Sequence, residues 1–148
     1  LAARSPYSAS MISGRRNRMR LSRPTGSAAT LDAAWSSEGR ILAEADRAGI
    51  LIAPVCHGQA ALLAARGANG EWLFEGRQMT SFSDEEEVEL GTADNAPWLL
   101  ADTLRKSGAR YEKGPNWGAY VVRDGNLLTG HNPASSEPLA DAVLATLR

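Results

Sequence analysis

Three features of this 148-residue chain predict an α/β fold: an unbroken apolar run over residues 50–55, a helix-like run of small and apolar residues just after it, and alternating strand and helix signals beyond. An apolar run without polar alternation suits a strand buried on both faces of a parallel sheet. Strands alternating with helices imply a layered sandwich with that sheet at its centre.

The elements follow in order. Residues 38–48 read as a helix, with Ile41, Leu42 and Ala45 on one face, Ser36 or Ser37 as cap and Gly49 as stop. Ile50-Leu51-Ile52-Ala53-Pro54-Val55 is the buried strand, with Pro54 tolerable near its end. Residues 59–66 read as a helix ended by Gly67. Residues 72–74 and 77–82 are short strand candidates around the Glu75-Gly76 turn. Ser83-Asp84-Glu85-Glu86 is a capping-box pattern that opens a short acidic helix. Pro97 starts the next helix and Gly108 stops it. Residues 110–112 and 120–122 are strands, and Asp124-Gly125 is a hairpin turn that returns the chain over residues 126–129. Residues 138–147 form the last helix, with Ser136 as cap.

Bulk composition narrows the function classes. The length fits one domain. Apolar residues make up 43% and charged residues 22%, an ordinary globular balance, and the net charge of −1 points to neither nucleic acid nor an anionic membrane. No apolar stretch approaches the roughly 20 residues of a membrane span. One cysteine and two histidines make a zinc cluster an unlikely use of these side chains. A lone cysteine fits a reducing, cytoplasmic setting, where it is either inertly packed or reactive.

Charge is unevenly placed. Residues 1–31 hold Arg4, Arg15, Arg16, Arg18, Arg20 and Arg23 and no acid, amid Ser, Ala and Gly. This stretch reads as a transit-type segment, as a basic arm, or as a non-native segment from a truncated or frame-shifted reading. The chain begins with Leu, which favours the last of these. Residues 1–37 are therefore expected to be a basic, low-complexity segment, disordered or non-native, followed by an α/β domain over 38–148.

The chemistry is expected at Cys56-His57-Gly58, between the buried strand and the next helix. A strand–turn–helix junction of this kind is a nucleophile elbow, lifting its side chain to the carboxyl end of the sheet. Backbone N–H groups at a helix start favour negative charge and are expected to lower the thiol pKa from about 8.5 toward neutrality. His57 can move protons, and one member of the acidic run 84–87 can orient it.

Four segments carry a family resemblance. Ala53-Pro54-Val55-Cys56-His57-Gly58-Gln59-Ala60-Ala61-Leu62 resembles the cysteine elbow of the ThiJ/PfpI family, within the class I glutamine amidotransferase-like superfamily. Residues 80–87 resemble its Thr-Gly-Phe-Thr-Asp-x-x-Glu stretch. Pro97-Trp98-Leu99-Leu100 with Gly108-Ala109 resembles the following helix and strand. Residues 124–136 resemble its closing Asp-Gly-x-Leu-x-Thr-Gly-Gln-Asn-Pro-Ala-Ser segment. Gln59 stands where proline is usual, and His131 where glutamine is usual.

The resemblance spans about residues 38–148 and is nearest to the heat-shock glyoxalase and chaperone branch. It implies a flavodoxin-like three-layer sandwich with a mainly parallel sheet, often dimeric. It also implies a triad mapping onto Cys56, His57 and Glu87. The implied activity is cofactor-free conversion of methylglyoxal to lactate, or protein deglycation, on a small reactive aldehyde. The alternative is a holdase chaperone or an oxidation sensor without turnover. No metal, cofactor, nucleic acid or membrane is implied, and a homodimer is. No His-x-Glu occurs, which disfavours a glutaminase. The family's first half brings a glutamate against the cysteine and a Gly-Gly-His-Gly loop. Neither has a counterpart in residues 1–37, so the sheet is expected to lack its N-terminal strands.

Overall fold

The computed structural model describes residues 28–148, with side chains described from residue 37 onward. The readings of residues 1–27 lie outside the described residues. Helix α1 (Ala28–Arg47) begins ten residues before the helix expected at residue 38. The sequence Ala-Ala-Thr-Leu-Asp-Ala-Ala lacks an apolar stripe, but alanine and leucine are the strongest helix formers, and propensity carries the helix upstream.

After α1 the chain turns at Gly49 and runs through residues 52–55 parallel to β4 (Leu127–Gly130), with bridges Ile52–Leu127 and Val55–Gly130. The Ile52 N–H donates to the Asn126 carbonyl at 2.8 Å, and the Leu128 N–H donates to the Ile52 carbonyl at 2.8 Å. The expected burial on both faces is not met. Ile52 is buried, whereas Ile50 and Ala53 are exposed. Pro54 has no N–H to give to a ladder. Among the described residues no strand pairs with the second edge of this segment.

The helix expected over 59–66 is a 3-10 helix from Cys56 to Ala64. Three residues per turn place i, i+3 and i+6 on one side. That row is Gln59, Leu62 and, just past the end, Ala65, buried to 0%, 1% and 0% exposure. The tighter winding therefore suits the inward residues better than an α-helix would. Of the strands expected near residues 72–82, only β1 (Gln78–Met79) forms, alongside an isolated antiparallel bridge from Arg66 to Trp72. Trp72 acts as a clamp instead, its indole N–H donating to the Leu62 carbonyl at 2.8 Å.

Helix α2 (Asp84–Glu89) has the expected capping box on Ser83. Helix α3 (Leu100–Lys106) starts three residues beyond Pro97. Its start is fixed from α2: an Asp84 carboxylate oxygen accepts the Asp102 backbone N–H at 3.3 Å, and the other accepts from Arg105 at 2.9 Å. Strand β2 (Arg110–Tyr111) pairs in parallel with β1. Strands β3 (Val121–Asp124) and β4 form the antiparallel hairpin expected at Asp124-Gly125, with Gly125 at φ +60°. Helix α4 (Ser136–Thr146) begins two residues earlier than expected. Ser136 is its first residue rather than its cap, because Asn132 and Ser135 already form a capping box on the preceding 3-10 turn.

Strand β4 is thus flanked by residues 52–55 on one side and β3 on the other, an α/β arrangement with helices packed against it. The core gathers Ile52, Leu62, Ala65, Phe74, Met79, Leu100, Leu104 and Leu127. Arg77 ties the layers at the far end of the strands: it donates to Asp46 of α1, to the Asp124 carbonyl and to the Asn126 side chain. Gly39 is where α1 meets the 3-10 helix, and a Cβ there would lie 2.4 Å from the Ala64 carbonyl oxygen.

At the other end, the fully buried Glu86 carboxylate is met by groups from three segments. Ser83 gives its backbone N–H and hydroxyl at 3.1 and 3.0 Å. Asn132 gives its side-chain amide at 2.7 Å, and Trp117 its backbone N–H at 2.7 Å. His131 Nε2 lies 3.2 Å away. Burial pushes this carboxyl up, but the donors from Trp117, Asn132 and Ser83 outweigh burial and hold it below the usual carboxylate value.

Two outcomes follow for urea unfolding. Gly39→Ala raises helix propensity yet lowers stability by about 1–3 kcal/mol, because backbone must move to admit the methyl group; a stabilised variant would show that α1 does not sit against Ala64. Glu86→Gln lowers stability by about 3 kcal/mol at pH 7, since its new amide faces donors. A lowered folded value means that the stabilisation is complete above the unfolded value of about 4.3 and is lost as pH falls through the folded one. The gap between wild type and Glu86→Gln therefore closes in acid.

Candidate active site

Cys56 ends the segment 52–55 and opens the 3-10 helix at φ +60°. A non-glycine residue in the left-handed region costs on the order of 1–3 kcal/mol and persists only where surroundings enforce it. Three contacts do so here. The Cys56 carbonyl accepts the Phe82 N–H at 3.2 Å, and the Gly58 N–H donates to the Val55 carbonyl at 2.9 Å. The Gln59 side-chain amide donates to the Thr80 and Gly130 carbonyls at 2.9 and 2.8 Å. A buried amide thus pins the elbow to the ends of two strand segments.

His57 and Glu87 come together with Cys56. Glu87 Oε1 accepts from His57 Nε2 at 2.5 Å, and Cys56 Sγ lies 3.3 Å from His57 Nδ1. A carboxylate at Nε2 keeps the ring proton there, so Nδ1 presents its lone pair to the thiol. Glu87, in α2, is buried, and His57 is exposed. Thr92, which sequence reasoning missed, holds Glu87 from behind: its hydroxyl donates both to the Glu87 carbonyl and to Oε2. Burial raises the Glu87 carboxyl, but the hydrogen bonds from His57 and Thr92 and the charge of His57 bring it below its ordinary value.

The thiol corrects an expectation. Cys56 is raised above its ordinary value rather than lowered. Burial is the largest cause. The His57 backbone N–H opposes it, and the charges of Glu86 and Glu87 add to the rise. The elbow supplies one N–H to the sulfur where several from a helix start are expected, and the charges of Glu86 and Glu87 disfavour a further negative charge. The raised value favours a protonated thiol, with the sulfur 3.3 Å from His57 Nδ1.

Aromatic rings border this group. Phe82 is buried and packs against His57 with ring centroids 4.6 Å apart. The Trp117 ring meets Phe82 edge-on at 5.8 Å. Trp117 was not singled out from sequence; its place between Gly114-Pro115-Asn116 and Gly118 was the available signal, since such a turn holds an aromatic residue at the surface. Asp84 and Glu86 are committed to Asp102, Arg105, Ser83, Asn132 and Trp117. Neither is free to face the sulfur. Among the described residues no three His, Cys, Asp or Glu gather as a metal centre requires, and no helix is long and apolar enough to cross a membrane.

No family model matches the chain. Individual proteins do. The glutathione-independent glyoxalase HSP31 of Saccharomyces cerevisiae is 37% identical over 108 residues, 68% of this chain and 45% of that protein. The crystal structure of glyoxalase III from Candida albicans is 31% identical, with a TM-score of 0.66, covering 72% of this chain and 47% of that one. A two-domain protein from Anabaena variabilis with DJ-1/ThiJ/PfpI-like and ferritin-like domains is 26% identical, with a TM-score of 0.55, over 84% of this chain and 28% of that one. The chain spans about half the length of the curated relatives it matches. Over the part that matches, the chain is thus similar to proteins of the ThiJ/PfpI type, in their glyoxalase and chaperone branch.

Proposed function

We propose that this chain carries the catalytic half of a glutathione-independent glyoxalase, with Cys56 as nucleophile, His57 as proton carrier and Glu87 as the group that orients it. The observation that carries the reading is the linear arrangement Sγ, Nδ1, Nε2, Oε1. The chain's half-length match further supports a flavodoxin-like three-layer sheet whose N-terminal strands are not among residues 38–148.

The reaction balances without an external oxidant. The thiol gives its proton to His57 Nδ1 while sulfur bonds to the aldehyde carbon of methylglyoxal, and the imidazolium returns the proton to the new oxyanion. The product is a hemithioacetal. His57 is neutral again and takes the carbon-bound proton, giving an enediolate, then delivers that proton to the neighbouring carbon while the hydroxyl proton on the former aldehyde carbon passes to the adjacent oxyanion. The former aldehyde carbon is now oxidised to a thioester and the ketone carbon reduced to an alcohol. Water releases lactate and restores the thiol. Among the described residues Glu86 and Glu87 are the carboxylates whose charge reaches Cys56, and both are engaged. His57 is accordingly assigned both proton transfers. The raised thiol counts against a sensor built on a resting thiolate.

Turnover of methylglyoxal to lactate without glutathione is expected for the chain and absent in Cys56→Ser. Glu87→Gln is expected to lose roughly 10²-fold in kcat with its fold intact, in the range of general acid–base contributions. A folded chain that forms no lactate, or a Cys56→Ser variant as active as wild type, overturns the reading. The iodoacetamide alkylation rate of Cys56 is expected to rise with a midpoint above the ordinary thiol value of about 8.5. A plateau already reached at pH 6–7 would instead reveal a resting thiolate–imidazolium pair.

A further inference from the structure

Trp117 is held in a way its surroundings do not otherwise explain. Its backbone sits at φ +58°, a conformation that bulky residues avoid. Buried Glu86 fixes it there by accepting its N–H at 2.7 Å. Its indole N–H donates to Glu89, which also accepts from the Asn116 side chain at 2.6 Å. The ring is thus anchored at both ends, yet 44% of the residue stays exposed. A rigid, half-exposed indole buries little area for the strain it carries, and strained residues cluster where ligands bind. Its position relative to the sulfur is defined by rings in contact. Phe82, 2% exposed, is in ring contact with both His57 and Trp117. The sulfur thus touches His57, His57 stacks on Phe82, and Phe82 meets the indole, so a contiguous run of rings leads from the thiol to Trp117.

We propose that Trp117 is a substrate-binding platform that selects α-oxoaldehydes bearing an aromatic or extended apolar substituent over those bearing a methyl group or a carboxylate. The inference rests on the glyoxalase reading for its substrate class and on the ring geometry for its selectivity. Two features favour this class. The indole offers its face to apolar and aromatic groups, an arrangement that adds affinity beyond simple burial. The indole N–H is itself held by the Glu89 carboxylate, so a second carboxylate on the substrate is repelled there.

Two measurements test the platform and keep it separable from the glyoxalase reading. The first uses Cys56 as the sole thiol and compares its alkylation by iodoacetanilide, which carries a phenyl ring, with that by iodoacetamide, which does not. The rate ratio is referred to the same ratio for free cysteine. Wild type is expected to exceed free cysteine by roughly 3- to 10-fold, the worth of one aromatic contact. Trp117→Phe is expected to keep most of that excess. Trp117→Gly, which removes the ring and accepts the positive φ without strain, is expected to return the ratio to that of free cysteine. Equal ratios in wild type and Trp117→Gly overturn the proposal. The second measurement compares kcat/KM for phenylglyoxal and methylglyoxal, with the preference for phenylglyoxal expected to fall in Trp117→Gly mainly through KM. If alkylation responds to the ring while neither aldehyde is turned over, the platform stands and the glyoxalase reading fails. If methylglyoxal is turned over but the alkylation ratio ignores the ring, the glyoxalase reading stands and the platform fails.

Discussion

A single buried carboxylate organises this end of the molecule. Glu86 has no exposed surface and collects hydrogen bonds from Ser83, Asn132 and Trp117, with His131 beside it. A charge taken out of water is tolerable only when its lone pairs are filled, so each of these segments is constrained to arrive where its donor is needed. The helix that carries Glu86 also carries Glu87, one residue on. Fixing Glu86 fixes the helix rotation, and with it the direction in which Glu87 meets His57. The loop bearing Trp117 is fixed by the same oxygen that takes the Asn132 amide. Stability and site geometry share one origin here.

The elbow holds a thiol that its burial and two carboxylates favour in the protonated form. Glu86 and Glu87, needed for architecture and for orienting His57, also disfavour a thiolate at Cys56. The site answers with an imidazole whose accepting nitrogen faces the sulfur. On the proposed glyoxalase reading, proton transfer is coupled to attack rather than completed beforehand. Such a thiol spends little time in the form that peroxides oxidise.

Much of this was legible in the sequence, and the remainder failed for definable reasons. Cys56 and His57 are legible in a tripeptide at a strand end, Glu87 is singled out of the acidic run 84–87 by the family resemblance, and the structure brings their side chains into contact. The Ser83 capping box and the Asp124-Gly125 hairpin depend on local chemistry and appear as read. The start of α1 was missed because propensity, not amphipathic pattern, extends it. The 3-10 winding at Cys56 was missed because a run of alanine and leucine satisfies periods of 3.0 and 3.6 alike. The raised thiol was missed because its main causes are burial and two carboxylates from a different helix, which no local pattern reveals. Thr92 and Trp117 act through contacts with side chains 5 and 31 residues away, and nothing adjacent to them in sequence names those partners.

The three-residue winding after Cys56 has a further consequence for how this segment can vary. Gln59, Leu62 and Ala65 form one inward row, and a single added or deleted residue within it would turn everything beyond the change by a third of a turn. Leu62 would swing out of the core, or Gln59 would release the two carbonyls that locate the elbow. The segment therefore behaves as a ruler graduated in threes: changes of side chain are permitted along its outer sides, while changes of length are admissible only in whole turns.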